Sequence, residues 1–303
     1  MDRRNFGRLA LALAGAWPVA RALGYDEPSA QKNLGSATAQ RWVEIEASVG
    51  GQLGVAVLDT ATGELAGRRL DERFPMCSTF KFLAAALVLA RVDAGQERLD
   101  RRIVVARADL LKYAPVTSKH VGGAGMTVAE LCEAAITVSD NTAANLLLAS
   151  FGGPPAVTAF ARRIGDGVTR LDRNEPSLNT SIPGDPHDTS SPRAMAQTLR
   201  TVMLGDALSD AGRAQIVRWM SANATGAHRL RAGVPFDWRV ADKTGTGDLG
   251  STNDIGVLWP PRRAPLVVVG YLTDCKAPAD AREAALASVA RSVTGGATAL
   301  RAS

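Results

Sequence analysis

The chain has 303 residues, 46% of them hydrophobic and 21% charged, enough to bury a large core in one domain or in two closely joined ones. The formal charge of +5 is uneven: residues 1–22 carry +3, from Arg3, Arg4, Arg8 and Arg21 against Asp2, and the rest of the chain only +2. With no basic stripe interleaved with aromatics and no long single-sign block, the composition argues against a nucleic-acid partner and against a disordered charged tail.

The first segment reads as an export signal over residues 1–22. Arg3, Arg4 and Arg8 form its charged start, and residues 9–20 form an apolar run too short to span a bilayer as a helix. Ala20-Arg21-Ala22 is an A-x-A cleavage site, so the mature chain is expected to begin at Leu23 and to be periplasmic or secreted. Arg3-Arg4-Asn5-Phe6 also fits a twin-arginine signal, and the general secretory and twin-arginine routes both remain open. Residues 23–38 are small and polar and are expected to be flexible. No later stretch is apolar enough for a membrane anchor.

Residues 52–59 alternate and are rich in β-branched side chains. Thr60-Ala61-Thr62-Gly63 follows, then a second strand over 64–69, which together predict a hairpin. Ala and Leu predict a helix over 78–91. Thr127 with Glu130 three residues later is a capping box that opens another helix. Helices are expected over 140–150 and 155–164, separated by Gly152-Gly153-Pro154, and again over 193–204 and 209–220. Strands return at 238–246, 255–259 and 266–273, and an amphipathic helix over 279–293 closes the chain.

Strands at both ends with helices between them predict an α/β plus all-α fold. Its antiparallel sheet of about five strands is flanked by terminal helices, and a helical domain is inserted. Residues 39–76 and 222–303 would form the α/β domain. Residues 77–221 would form the all-α domain, including an Ω-loop over 170–188. A cleft between them is the expected active site.

Four short segments carry chemistry. Ser78-Thr79-Phe80-Lys81 opens an apolar run. At a helix start the i, i+3 spacing puts Ser78 and Lys81 on one face. A serine needs a base to become a nucleophile, and Lys81 beside Phe80, Phe82 and Leu83 is expected to be buried. Taken alone, this motif is more often a helix cap and a surface lysine. Ser139-Asp140-Asn141 also looks like a cap. Glu175-Pro176-Ser177-Leu178-Asn179 lies in a polar loop, where a lone glutamate is ordinarily solvated. Lys243-Thr244-Gly245 sits in a strand-like stretch.

All four in this order resemble the class A serine β-lactamases, over about residues 53–273. The resemblance implies hydrolysis of penicillins and cephalosporins through a Ser78 acyl-enzyme, and antibiotic resistance. Lys81, or Glu175 through a water, would be the acylating base. Ser139 would protonate the leaving nitrogen, and a water activated by Glu175 and held with Asn179 would release the product. Asn141 would hold Lys81 and the substrate amide. Lys243 would place positive charge near the substrate carboxylate, Thr244 would hydrogen-bond it, Gly245 would remove side-chain bulk beside the substrate, and the N–H groups of Ser78 and Thr246 would form the oxyanion hole. Tyr113 would wall the cleft mouth, although a purely structural tyrosine fits the sequence nearly as well. Arg173 and Asp188 would tie the Ω-loop neck, Glu175–Pro176 would be cis, and Asn145 would brace the loop. Small β-lactams are the implied partners of a monomer with no metal or organic cofactor.

Two departures stand out. The family's common carboxylate-binding arginine aligns with Thr252, and the resemblance transfers that role to Arg229, an alternative arginine used in part of the family. The bridge that some members of the family make from the position of Cys77 would need a cysteine where this chain has Gly247, and the helical-domain bridge of another subgroup would pair Cys132 with a cysteine where this chain has Ala85, so the resemblance implies that Cys77, Cys132 and Cys275 are free thiols. Efficient carbapenem hydrolysis is thereby disfavoured, and Thr246 leans the expectation toward penicillins and cephalosporins. His120, His187 and His228 show no metal-ligand spacing. The rival readings are a D,D-peptidase or transpeptidase, which would lack the Glu175–Asn179 pair, and a penicillin sensor, which usually carries a membrane helix or signalling domain.

Overall fold

A computed structural model describes residues 36–298. The expected export signal and residues 23–35 lie outside the described residues. The chain runs α1 (Ser36–Val49), β1 (Gln52–Asp59), β2 (Leu65–Arg68), β3 (Phe74–Pro75), a 3-10 turn (Cys77–Thr79) and α2 (Phe80–Asp93). Next come β4 (Arg102–Ile103), β5 (Met126–Thr127), α3 (Val128–Thr137), α4 (Asn141–Phe151) and α5 (Pro154–Arg163). The chain ends with β6 (Thr189–Ser190), α6 (Pro192–Met203), α7 (Asp210–Ser221), β7 (Arg239–Thr246), β8 (Thr252–Trp259), β9 (Leu266–Thr273) and α8 (Ala279–Thr298). α1 is one of the expected terminal helices, one for which no bounds were predicted. It starts inside the stretch expected to be flexible, because Ala, Gln and Glu suit a helix as well as a coil and Trp42 gives that helix a buried anchor.

β2, β1, β9, β8 and β7 lie in that order as one antiparallel sheet, so strands from the two chain ends meet at β1 and β9. Both faces are covered. Leu53, Val55 and Val57 of β1 and Leu266, Val268 and Leu272 of β9 share a core with Trp42 of α1 and Leu286, Val289 and Ala290 of α8. Their neighbours Ala56, Leu58, Val267, Val269 and Tyr271 pack into the core of the helical layer. Double burial explains why these strands read as continuous apolar runs.

α2 is the hub of the helical layer. Phe80 through Leu89 are buried without a break, and α3, α4, α5 and α7 pack around them. The Thr127–Glu130 capping box forms as the sequence predicts, with Glu130 N–H on Thr127 Oγ1 at 3.1 Å and Thr127 N–H on Glu130 Oε2 at 2.7 Å. β8 begins at Thr252, three residues before the expected start. Asn253 and Asp254 look like turn residues, yet both are buried in the strand because distant groups satisfy them. Asn253 Nδ2 donates to Pro75 O at 2.8 Å, and the Leu230 N–H reaches Asp254 Oδ2 at 3.0 Å. Residues 170–188 form a closed loop whose ends meet through Arg170 N–H to Thr189 O at 3.0 Å, beside the short β3–β6 ladder.

Candidate active site

The four segments converge. Ser78 lies in the 3-10 turn that leads into α2, and Lys81 lies one turn on. Lys81 Nζ reaches Ser78 Oγ at 3.0 Å, Asn141 Oδ1 at 2.6 Å, the Ser139 carbonyl at 2.8 Å and Ser139 Oγ at 3.2 Å. The Ser-Asp-Asn triplet achieves this through Asp140, the buried N-cap of α4. Its carboxylate accepts the Ala143, Val116 and Thr117 N–H groups at 2.9, 3.0 and 2.9 Å, which turns Ser139 and Asn141 toward Lys81. Ser139 has a positive φ of 59°. Asn141 N–H also binds Tyr113 O at 3.1 Å, which seats Tyr113 beside the cluster with its side chain half exposed.

The Ω-loop supplies the carboxylate. Asp188 accepts the Asp172 and Arg173 N–H groups at 2.7 and 2.9 Å and Arg173 Nε at 2.5 Å, closing the neck. Asn145 braces the loop from α4, with Nδ2 on Glu175 O at 2.8 Å and Oδ1 on Glu175 N–H at 3.0 Å. The Glu175–Pro176 peptide is cis. Glu175 is buried, and its Oε1 stands 3.2 Å from Ser78 Oγ and 3.0 Å from Lys81 Nζ. Asn179 Nδ2 donates to Glu175 Oε2 at 2.5 Å, and Asn179 Oδ1 is buried with no partner among the described residues. That pair of polar oxygens suits a bound water.

β7 forms the other wall. Gly245 is needed there, because a Cβ would stand 2.7 Å from Met76 O and 3.2 Å from Thr79 Cγ2. Its absence lets β7 lie against the turn that carries Ser78. Lys243 Nζ donates to Ser139 Oγ at 3.1 Å and to Thr244 O at 2.9 Å. Burial lowers the pKa of Lys81, with the Glu175 carboxylate opposing the shift. Lys243 is pushed well below the ordinary lysine range by burial, and then by the charges of Lys81 and Arg229. Two buried amines that hold their protons less tightly than a solvated lysine flank two hydroxyls, an arrangement that suits proton transfer.

Arg229 departs from expectation. Its Nη1 donates to Gly245 O and Asn253 O, both at 2.8 Å, its Nη2 to Thr246 Oγ1 at 2.8 Å and its Nε to Glu283 Oε1 at 3.2 Å. The paired hydrogen bonds anticipated for a substrate carboxylate are spent inside the protein. At the Thr252 position another arginine arrives from α8: Arg282 Nε donates to Thr252 Oγ1 at 3.0 Å. Neither Glu283, Arg282 nor Asn253 was legible as part of this wall, since only folding brings α8 and β8 to it. The three cysteines are free and buried. A Cβ at Gly247 would come within 2.6 Å of Cys77 Sγ, so residue 247 does face Cys77, and burial raises that thiol to about 12.

An antiparallel sheet joined to a helical layer, with a buried Ser–Lys–Glu cluster against a Lys-Thr-Gly strand, defines a serine hydrolase of the β-lactamase type. Residues 37–296 match the family model described as the Beta-lactamase enzyme family, and the chain belongs to that family. It is 52% identical over 257 residues to Beta-lactamase CTX-M-8 of Citrobacter amalonaticus, covering 85% of this chain and 88% of that one. Over 296 residues it is 46% identical to Beta-lactamase OXY-1 of Klebsiella oxytoca, covering 98% of this chain and 100% of that one. Among solved structures, an ancestral class A β-lactamase superposes with a TM-score of 0.84 at 65% identity, covering 86% of this chain and 99% of that one. The protein is a class A β-lactamase, an enzyme of β-lactam hydrolysis and resistance, which sets aside the peptidase and sensor readings. No helix among the described residues is long and apolar enough to cross a membrane.

Proposed function

We propose that the reaction proceeds through an acyl-enzyme on Ser78, with penicillins and cephalosporins as substrates. Ser78 Oγ attacks the lactam carbonyl while Lys81, or Glu175 through a water, takes its proton. Both groups stand within 3.2 Å of that oxygen. The N–H groups of Ser78 and Thr246 receive the oxyanion. Ser139, linked to Lys81 and Lys243, returns a proton to the leaving nitrogen. A water between Glu175 and Asn179 then attacks the ester, with Glu175 as base. Lys243 and Thr244 hold the substrate carboxylate, Gly245 removes side-chain bulk at that wall, Asn141 holds the amide side chain, and Tyr113 walls the mouth of the cleft. Arg229 contributes through Thr246: the Thr246 hydroxyl accepts from the guanidinium and keeps its own hydrogen for the exposed side.

The observation that carries this reading is the buried Glu175 carboxylate beside Ser78, braced by Asn145 and paired with Asn179. A peptidase that is merely trapped by the drug has no need of it. Glu175→Ala should acylate and then stall. Intact-protein mass spectrometry after addition of a penicillin should show a lasting adduct on Ser78. An adduct that clears at the wild-type rate removes Glu175 from the mechanism. We also propose export by a signal over residues 1–22 to the periplasm or medium, and a division into an α/β domain (39–76, 222–303) and an all-α domain (77–221).

A further inference from the structure

Thr244 ends a chain of hydrogen bonds that starts at a buried ion pair outside the catalytic cluster. The Asp242 carboxylate is fully buried; one oxygen pairs with Arg231, and the other accepts Asn223 Nδ2 at 2.7 Å. The Asn223 amide can face only one way. Its Oδ1 accepts the Thr225 backbone N–H at 3.0 Å, and a backbone N–H can only donate. The same Oδ1 accepts the Thr225 hydroxyl at 2.7 Å. Thr225 Oγ1 in turn touches Thr244 Oγ1 at hydrogen-bond range. A hydroxyl owns one hydrogen, and that of Thr225 is on Asn223, so Thr244 is the donor in this contact. In this state Thr244 shows the cleft only lone pairs, the wrong polarity for an anion.

We propose that Thr225 is a positioning residue for the substrate carboxylate, and that the Thr244–Thr225–Asn223 chain reverses when a carboxylate-bearing β-lactam binds. Thr225 turns its hydrogen from Asn223 Oδ1 to Thr244 Oγ1, and Thr244 turns its own to the carboxylate. Two hydroxyls rotate and no proton changes owner. Asn223 Oδ1 keeps the Thr225 backbone N–H, so the reversal leaves no buried acceptor bare. The Asp242–Arg231 pair fixes the far end and makes Asn223 a rigid post. Gly226 lets this segment approach β7 so closely, since a Cβ there would stand 1.8 Å from Asp242 Oδ2. The inference rests on the proposed reading that Thr244 meets the carboxylate.

The test compares Thr225→Val, which keeps the shape and removes the hydroxyl, with Thr225→Ser, which keeps the hydroxyl. The probes are benzylpenicillin and its methyl ester. Thr225→Val removes the acceptor that holds the Thr244 hydrogen in the free enzyme, so no reversal is needed and KM for the free acid should fall about threefold to tenfold, with kcat within about twofold, while Thr225→Ser should stay near wild type. With the ester, wild type and Thr225→Val should be equal, because no anion calls for the reversal. A wild-type or raised KM for the free acid in Thr225→Val, or an equal change on acid and ester, overturns the proposal. An equal change in Thr225→Ser does so too, since it would point to packing rather than to the hydroxyl. Wild-type protein that leaves benzylpenicillin intact would instead overturn the reading of the enzyme on which this rests.

Discussion

Removing the Arg229 side chain tests the difference between a substrate ligand and a buried brace. Its side chain is 8% exposed, and its guanidinium engages Gly245 O, Asn253 O, Thr246 Oγ1 and Glu283. A hydrogen bond to a charged group is worth about 1.5–3 kcal/mol, and neighbouring bonds do not add in full. Arg229→Ala should therefore lose about 3 kcal/mol of stability and melt on the order of 6–12 °C lower. Its kcat/KM for a penicillin should fall about tenfold, as Thr246 loses its partner and the cleft loses a positive charge. Arg229→Lys keeps the charge but not the planar fork. It should recover much of kcat/KM and little of the melting temperature. Thermal unfolding and steady-state kinetics on the two variants decide the matter. A variant Arg229→Ala that melts like wild type and loses a hundredfold in kcat/KM would refute the reasoning, because its donors would then have been free for substrate.

Arg231→Ala should act through stability. It leaves the fully buried Asp242 carboxylate without its cation and should cost about 3–5 kcal/mol, read by urea unfolding. Thiol titration of the denatured, unreduced chain should count three free groups, and a count of one would mean a disulfide between two of Cys77, Cys132 and Cys275. Burial pushes the Glu46 carboxyl up, but hydrogen bonds from Arg68, Arg69 and the Leu53 N–H outweigh it and hold the pKa at about 2, against an ordinary 4.5. The depressed value stabilises the fold fully above pH 4.5, and that contribution is lost as pH falls through about 2. Glu46→Gln should thus cost about 1–3 kcal/mol at pH 7, with a difference from wild type that shrinks as pH falls below 4.5. A difference that stays constant over that range would contradict the ion-pair account.

Local pattern carried far in this chain because much of its chemistry is spaced within helical turns. Ser78 and Lys81 share a face by their i, i+3 spacing, and Asp140 caps α4 by its place before the apolar run. Arg173, Glu175 and Asn179 sit in one loop, so their closeness in space was legible before folding. Apolar runs at both chain ends announced the sheet. What the sequence hid are contacts between residues that no local period relates. Thr225 and Thr244 touch across 19 positions, Asn253 and Met76 across 177, and Arg229 and Glu283 across 54. The polar start of β8 looked like a turn because its partners, Pro75 O and the Leu230 N–H, come from other elements. Arg229 looked like a free cation for the same reason. A side chain's donors are counted only when every acceptor around it is in place, and closure of β7 and β8 against α8 and the Ser78 turn supplies those acceptors.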